Sequence, residues 1–320
     1  MKNVLVTGGT GFIGAALVKN LVNKGFKVKT FDNNSRGGLD KLDDYLDRIE
    51  VIEGDIRDLP SVMDAMKGID IVYHLAFING TRYFYEKPDL VLEVGLKGML
   101  NVMDAAMHHK VKRMIYASSA EVYQQPTHIP TNEDERLIIP DPRNPRYSYG
   151  GAKAIGEVMA LHYAKHSDLE TVIFRPHNIY GPNMGFEHVI PEFVLRMKEM
   201  SDNFSKSDIE FPIQGTGEET RAFCYVEDAA EGIALVAEHG KTGEIYHVGT
   251  EEEVTISKLV EIMGNQLGVA PKIQPTEIPK GATNRRCPSI ARARTLGYSP
   301  KVTLEQGVKI TSEWYKKVER

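Results

Sequence analysis

Short runs of apolar residues recur along the first half of the chain, and segments with helical spacing separate them. The runs that predict buried strands are 2–6, 27–31, 49–53, 70–76, 113–117 and 171–175. Between them, segments such as 15–22 and 88–109 carry apolar residues three and four positions apart, which is typical of helices that pack on a sheet. This alternation predicts an α/β fold with a Rossmann-type, doubly wound parallel sheet.

After residue 178 the regular alternation weakens. Short strand patterns at 210–213, 221–226 and 245–248 are mixed with helical patterns near 189–200, 228–238, 255–267 and 303–319. We therefore expect a Rossmann domain over 1–178. A smaller, interleaved C-terminal substrate domain is expected over 179–320, with parts near 222–248 returning to the first domain.

A glycine-rich turn joins the first predicted strand to the first helix and reads TGGTGFIG over residues 7–14. Glycines in such a turn let the backbone approach a pyrophosphate, and the helix N-terminus offers free N–H groups and a positive dipole end. Asp32 ends the second strand, where a carboxylate can bind ribose hydroxyls and repel the extra phosphate of NADP. The sequence therefore predicts NAD, although Arg36 nearby leaves NADP open.

Polar residues also follow the later strands. Asp55 comes after the third strand, where it can receive the adenine amino group or cap the next helix. His74 lies inside the fourth strand and is interpreted as a packed residue. Ser119 follows the fifth strand. Ligands bind outside the carboxyl ends of parallel strands, so we expect Asp32, Asp55 and Ser119 at one edge of the sheet.

Tyr149 and Lys153 stand four residues apart where a helix is predicted to begin, so they share one helical face. A free phenol has a pKa of about 10 and is a poor base at neutral pH. A nearby ammonium favours the phenolate and could bring Tyr149 into working range. The alternative interpretation is two ordinary residues on a helix surface.

The composition argues against several other classes of protein. The net charge of −5 gives no field that would attract nucleic acid. Cys224 and Cys287 form no disulfide framework and lack metal-ligand spacing, so no metal is expected. No apolar run approaches the length of a membrane span, and the N-terminus enters a strand pattern at once. We therefore expect a soluble, cytoplasmic protein.

Taken together, these motifs resemble the extended short-chain dehydrogenase/reductase family nearly end to end, and within it the nucleotide-sugar epimerases and dehydratases. The motifs that carry the resemblance are the glycine turn at 7–14, Asp32, Asp55, Ser119, YGGAK at 149–153, RPHNIYGP at 175–182, TRAFCYVED at 220–228 and RRCPSI at 285–290.

The resemblance implies a bound NAD and a nucleotide-diphosphate sugar as substrate. Tyr149 would take a proton from a sugar hydroxyl, commonly at C4, while Ser119 hydrogen-bonds the reacting oxygen. Lys153 would lower the pKa of Tyr149 and hold the nicotinamide ribose. The implied cofactor-binding residues are Gly8, Gly11, Phe12, Ile13, Asp32, Asn33, Asp55, Ile56, Leu75, Ala76, Tyr149, Lys153 and Pro176. The implied substrate-binding residues are Ser119, Asn178, Val189, Arg221 and Arg286, with Arg285 as the alternative to Arg286; an arginine fork suits a diphosphate.

The chain also departs from the family pattern. Dehydratases typically carry Asp then Glu after the serine, whereas this chain has Ala120 and Glu121. Glu121 is either a second acid-base group or a polar loop residue. Gly95 and Met99 stand where the family often has Asn and Thr. The run 184–189 has no counterpart in the family pattern. Glu187 or His188 could contact the sugar of the substrate, or the run could form the N-terminal turn of the next helix.

We therefore expect an NAD-dependent nucleotide-sugar epimerase that works through a transient 4-keto sugar, with Ser119, Tyr149, Lys153 and Glu121 as the catalytic candidates. The alternatives are a 4,6-dehydratase or a UDP-glucuronate-type decarboxylase of the same family and, in another class, a non-catalytic NAD-binding module. Because family members are usually dimers through a four-helix bundle, a homodimer through the helices near 90–108 and 149–166 is expected.

Overall fold

The computed structural model describes residues 2–277 and 283–318. The predicted domains begin at residue 1 and end at residue 320, and the predicted helix 303–319 ends at residue 319; these three terminal residues lie outside the described ranges. The strands are β1 (Asn3–Thr7), β2 (Lys27–Asp32), β3 (Ile49–Glu53), β4 (Ile71–His74), β5 (Arg113–Ala117), β6 (Glu170–Pro176), β7 (Ile179–Tyr180), β8 (Asp208–Gln214), β9 (Thr220–Ala222), β10 (Cys224–Tyr225), β11 (Ile245–Val248), β12 (Glu253–Thr255), β13 (Ala270–Thr276) and β14 (Arg285–Arg286).

The α-helices are α1 (Phe12–Asn23), α2 (Leu59–Ala65), α3 (Thr81–Glu86), α4 (Pro88–Leu92), α5 (Gly98–His108), α6 (Ser148–His162), α7 (Val189–Met200), α8 (Val226–His239), α9 (Ile256–Leu267), α10 (Ala291–Arg294) and α11 (Leu304–Lys316). A π-helical turn, Glu93–Lys97, joins α4 to α5. Among the described residues, no helix is long and apolar enough to cross a membrane.

Seven parallel strands form the central sheet, in the order β11-β6-β5-β4-β1-β2-β3. The order reverses between β1 and β4, which is the switch point where doubly wound sheets bind ligands. Apolar residues alternate between the two faces of each strand: Val4 and Val6 face one core and Leu5 faces the other. The predicted fold class is confirmed.

Helices cover both faces of this sheet. Helices α1 and α8 pack together over one face, and α2 and α5 pack together over the other. A third core forms between α7, α9, α11 and the β8–β13 pair, away from the sheet. Strand β11 lies at the end of the main sheet beside β6 although it comes late in the chain. The division into domains at residue 178 stays a prediction.

Candidate active site

The glycine turn brings the backbone of β1 against the end of β4. Gly8 has a φ of +76°, and a Cβ built on it would lie 2.6 Å from the backbone nitrogen of Ala76. A side chain at residue 8 is therefore excluded by both conformation and space. Helix α1 begins at Phe12, and Gly11 provides no side-chain cap, so the first N–H groups of the helix stay available to a phosphate.

A groove of about 510 Å³ runs along this edge of the sheet. Every cofactor-binding residue that the resemblance implied lies on its wall: Gly8, Gly11, Phe12, Ile13, Asp32, Asn33, Asp55, Ile56, Leu75, Ala76, Tyr149, Lys153 and Pro176. The strand-end rule explains the gathering, because each of these residues belongs to the turn, to helix α6 or to the carboxyl end of a strand.

Asp32 is oriented by its own neighbours. Its carboxylate accepts hydrogen bonds from the backbone N–H groups of Thr10, at 3.1 Å, and Asn34, at 2.9 Å. These bonds tie the end of β2 to the glycine turn and fix the carboxylate on the groove wall. Arg36, which left NADP open, also lies on that wall. The carboxylate of Asp32 lies where it can accept hydrogen bonds from ribose hydroxyls.

Asp55 is held by an arginine two residues later. Arg57 donates to both carboxylate oxygens of Asp55, at 3.0 and 2.8 Å, and these bonds lower the pKa of Asp55 to about 2. Asp58, rather than Asp55, is the N-cap of α2 and accepts from the backbone of Ser61. The alternative in which Asp55 caps the helix is therefore wrong.

Tyr149 lies at the first turn of α6 and is 7% exposed. Phe84 stacks on its ring at 5.0 Å, and Phe77 meets it edge-on at 5.1 Å. Burial raises the pKa of Tyr149 to about 12, a hydrogen bond from Ser119 acts in the opposite direction, and the charge of Glu121 raises the pKa further. Ser119 and Glu121 therefore lie beside the phenol.

Lys153 is directed at the end of β5. Its ammonium donates to the backbone carbonyl of Ala117 at 2.6 Å, and its Nζ is 5.9 Å from the centre of the Tyr149 ring. Burial lowers the pKa of Lys153 to about 7, and the negative charge of Glu157 opposes that shift. Burial raises the pKa of the Tyr149 phenol instead, and the expected lowering of that pKa by Lys153 stays a prediction.

A buried ion pair holds α6, the helix that carries Tyr149 and Lys153, against the central sheet. Arg175 donates to both carboxylate oxygens of Glu157, at 2.8 and 2.6 Å, and the two side chains are 3% and 2% exposed. Ser118 donates to the same carboxylate, and Arg175 also reaches Tyr123. The pair clamps α6 to the carboxyl ends of β5 and β6, so Tyr149 and Lys153 sit on a rigid base.

A second cavity has a volume of about 380 Å³, and Ser119, which hydrogen-bonds Tyr149, is not among its lining residues. Four of the five implied substrate-binding residues line it, namely Asn178, Val189, Arg221 and Arg286, and so does Glu121. Asn178 has a φ of +42°, a conformation that asparagine tolerates, and it donates to the carbonyl of Ala222 at 3.3 Å.

The two adjacent arginines of β14 point in different directions. Arg286 forms an ion pair with Glu121 at 2.5 Å inside the cavity. Arg285 is exposed and pairs with Glu253 at 2.8 Å instead. Arg221 donates to the backbone carbonyls of Thr220 and Thr283, which aligns its guanidinium at the cavity wall. Of the two alternatives, Arg286 lies where a substrate could meet it.

Several lining residues were not found from the sequence. The cavity also contains Arg146, Glu192, Phe193, Arg196, Gln214, Glu219, Phe223, Ile256 and Thr283. Glu192, Phe193 and Arg196 follow Val189 at helical spacing, so the pattern of α7 could have identified them. Gln214 ends β8 and Glu219 lies in the loop that follows, and neither has a local signal in the sequence.

The unassigned run before α7 turns toward the groove. His188 lines the groove rather than the substrate cavity, and it stands at the N-cap position of α7. Glu187 is exposed and lines neither. His74 is a packed strand residue, as predicted: it is 2% exposed, and its Nδ1 bonds to the Thr7 hydroxyl at 2.8 Å.

The groove fits an NAD molecule by its chemistry. The uncapped N-terminus of α1 and the close backbone turn at Gly8 suit a pyrophosphate. The carboxylate of Asp32 suits ribose hydroxyls, and the half-buried walls near Phe77 and Pro176 suit a flat ring.

Comparison with known proteins gives a consistent result. The sequence model described as "NAD dependent epimerase/dehydratase family" matches residues 4–249. A UDP-N-acetyl-alpha-D-glucosaminuronate decarboxylase from Bacillus cytotoxicus is 31% identical over 99% of both chains. Two solved structures are similar. A UDP-N-acetylglucosamine 4-epimerase from Methanobrevibacter ruminantium has a TM-score of 0.87 and 26% identity over 98% of both chains. A dTDP-glucose 4,6-dehydratase from Streptomyces venezuelae, solved with NAD, has a TM-score of 0.85 and 28% identity over 98% of this chain and 97% of that one.

These relatives are named for different reactions on nucleotide sugars, and the dehydratase structure contains NAD. Their names cover an epimerase, a dehydratase and a decarboxylase. The relatives therefore establish the family of the enzyme but not its specific reaction. The alternative of a non-catalytic binding module has no counterpart among them. The match over most of its length and the groove that accommodates the cofactor show that this chain is an enzyme of the NAD-dependent epimerase/dehydratase family.

Proposed function

We propose that this enzyme is an NAD-dependent nucleotide-sugar epimerase that acts through a transient 4-keto sugar. The observation that carries the proposal is that Tyr149 lines the cofactor groove, while Glu121, whose charge acts on that phenol, lines a cavity together with Arg221 and Arg286. A sugar whose diphosphate lies on the arginines would present a hydroxyl to the phenol.

The reacting groups have separate tasks in this proposal. Tyr149 takes the proton from the C4 hydroxyl and returns it to the same oxygen after the 4-keto sugar has rotated in the site. Ser119 hydrogen-bonds the reacting oxygen, and Lys153 stabilises the phenolate while it lasts. NAD, when bound, supplies the acceptor for the C4 hydrogen. The Glu157–Arg175 pair keeps α6 in place while these protons move.

The diphosphate is assigned to the arginines of the cavity. Arg221 and Arg286 reach the cavity from neighbouring parallel strands, with Arg286 paired in register with Arg221. Two guanidinium groups held side by side match two adjacent phosphates. Asn178 and Val189 line the same space. A nucleotide-diphosphate sugar is therefore the proposed substrate class.

The choice of epimerase rests on the carboxylates. Loss of water or of carbon dioxide is helped by a further acid-base group, whereas 4-epimerisation needs only rotation of the ketone. Ala120 stands where dehydratases carry an acid, and Glu121 is engaged with Arg286. Glu192 pairs with Arg196, and Glu219 accepts from the backbone N–H groups of residues 216 and 217.

The test is to incubate the purified enzyme with NAD and a panel of UDP- and dTDP-sugars, following products by mass and proton NMR. A new sugar of unchanged mass is the expected result, and its coupling constants identify the inverted carbon. Loss of water or of carbon dioxide would overturn the proposal in favour of the second candidate.

A dehydratase or decarboxylase is the second candidate, and the position of Glu121 favours it. This carboxylate is close enough to Tyr149 to raise its pKa, and a substrate diphosphate could draw Arg286 away from it. The variant Glu121→Gln distinguishes an epimerase from a dehydratase or decarboxylase. An epimerase should keep turnover within about tenfold, whereas loss of a working acid-base group costs about 10²–10⁴-fold.

We also propose a homodimer through the outer faces of α4, α5 and α6. Ile155 and Val158 on α6 are 44% and 55% exposed, and Leu92 and Leu100 are each 38% exposed on the neighbouring segment. Light scattering should give a dimer mass for the wild-type chain and a monomer mass for Val158→Glu. A monomeric wild type would overturn this point. The cytoplasmic location stays a prediction.

A further inference from the structure

An aromatic ring lies directly over the ammonium of Lys153. The Nζ of Lys153 is 4.0 Å from the centre of the Phe77 ring, closer than to the rings of Tyr116, at 5.2 Å, or Tyr149, at 5.9 Å. Phe77 follows β4, is half-buried and forms part of the cofactor groove wall. Its edge-on contact with Tyr149 fixes the tilt of the ring.

The ring has room because residue 95 is glycine. A Cβ built on Gly95 would lie 2.6 Å from Cζ and 2.8 Å from Cε2 of Phe77, and 3.1 Å from the Cβ of Ala152. Gly95 is the middle residue of the π-helical turn Glu93–Lys97, a type of turn found mostly at functional sites. The family often carries asparagine at this position, so ring and glycine form a matched pair in this chain.

Lys153 needs such support because its pocket disfavours charge. The side chain is buried, and its one hydrogen bond among the described residues goes to Ala117. The titratable groups that face it are His74 from β4, Tyr116 from β5, and Tyr149 and Glu157 from α6. Burial holds the pKa of His74 at about 3, so this imidazole stays neutral.

The Glu157 charge is shared with a closer partner. Its two carboxylate oxygens are bound by Arg175 and also accept from Ser118. This pairing divides the Glu157 charge between two cations, although the charge still raises the pKa of Lys153. The negative face of an aromatic ring, in contrast, attracts an ammonium directly, and most strongly where water is excluded.

We propose that Phe77 is a positioning residue of the reaction, holding the ammonium of Lys153 charged and oriented beside Tyr149, and that Gly95 is the residue that admits it. The proposal rests on the proton transfer by Tyr149 proposed above.

The direct test measures the ionisation of Lys153 itself, which does not depend on the reaction. Protein labelled with 13C at lysine Cε is titrated by NMR as wild type, Phe77→Leu and Phe77→Tyr, with Lys153→Met to assign the signal. We expect Phe77→Leu to lower the pKa of Lys153 by about 0.5 to 1 unit, the size of a buried cation–π contact, and Phe77→Tyr to restore it.

Phe84→Leu is the matched control, because Phe84 stacks on Tyr149 and has no contact with the ammonium. It should leave the pKa of Lys153 unchanged. In steady-state kinetics, the alkaline limb of the pH profile should move to lower pH in Phe77→Leu by the same amount as the NMR pKa. It should not move in Phe84→Leu.

The pairing with Gly95 is tested by a double-mutant cycle. Gly95→Asn alone should reduce turnover more than tenfold, because the new side chain meets the ring. The double variant Phe77→Ala, Gly95→Asn should lose little more turnover than Phe77→Ala alone, because the ring that the new side chain would meet is gone, which makes the two effects non-additive.

A Lys153 pKa that is the same in Phe77→Leu and wild type, or equally shifted in Phe84→Leu, would overturn the proposal. Additive effects in the double-mutant cycle would also contradict it. If the enzyme proves to be a dehydratase or decarboxylase, the NMR titration still decides the role of Phe77. The failure of one proposal is therefore distinguishable from the failure of the other.

Discussion

The cofactor groove, which Tyr149 lines, and the substrate cavity, which Glu121 lines, are built in different ways. The groove follows the carboxyl ends of consecutive strands, and much of its wall is backbone and apolar side chains. The cavity collects single side chains from the segments that follow β5 and β6 and from α7, β9 and β14. The first site is set by the topology of the sheet, and the second by where individual side chains point.

Asp32 of the groove holds its charge differently from Asp55, which is paired with Arg57, and from the acids of the cavity. In the groove, Asp32 is tied to backbone N–H groups, so its charge stays available on the wall. In the cavity, Glu121 and Arg286 neutralise each other, as do Glu192 and Arg196. A diphosphate must therefore exchange partners with Glu121 to engage Arg286. This suggests a site whose affinity is more sensitive to single substitutions than the groove.

The largest expected effect is at the border between the two regions. Tyr149→Phe removes only the hydroxyl and should lower kcat by about 10²–10⁴-fold, the range for loss of a general acid-base group. NAD affinity should change little, because the groove is otherwise intact. Tyr45→Phe, on the opposite side of α1, is the control. Comparable turnover in the two variants would contradict the assignment.

A smaller loss is expected in the cavity alone. Arg286→Ala should weaken binding of a nucleoside diphosphate by about 10- to 100-fold, since a charge-assisted contact to phosphate is removed. Its neighbour Arg285 points at Glu253, so Arg285→Ala should bind like the wild type. Isothermal titration with UDP and dTDP measures both. A larger loss in Arg285→Ala would reverse the assignment of the pair.

The smallest effect concerns what the two regions share, a base of buried neutral histidines. Burial lowers the pKa of His74, under the groove, and of His247, on β11, to about 3. The unfolded chain therefore binds more protons below pH 6.5, and stability is lost as pH falls from 6.5 toward 3. At pH 5 the loss is about 2 kcal/mol per histidine.

Chemical denaturation between pH 4 and 8 checks this dependence. His247→Gln should flatten the acid slope by about one histidine. A slope equal to wild type in His247→Gln would show that the buried imidazole does not cause the acid loss.

The sequence predicted the groove better than the cavity for a physical reason. A glycine turn between a strand and a helix and an acid at the end of β2 are local signals, and parallel topology brings them together. Arg221 and Arg286 were found through family motifs. The choice between Arg285 and Arg286 needed coordinates, because adjacent residues of a strand point to opposite faces.

Other features depend on contacts that no local pattern encodes. The substitution of glycine at residue 95 was visible in the sequence, yet its partner Phe77 was not, because the two lie on different elements. The same holds for the Glu157–Arg175 pair, which joins α6 to β6. The effect of burial on Tyr149 was also missed, since a helical spacing of four says nothing about exclusion of water.

The most direct test of the central claim is to run the reaction in D₂O and map deuterium in the product by NMR. The account predicts an epimer of unchanged carbon skeleton with no deuterium on any carbon, because the C4 hydrogen leaves and returns within the site. Deuterium at C3, C5 or C6, or a product that has lost water or carbon dioxide, would contradict it. Each of these contradicting results would indicate that Glu121 acts as a second acid-base group.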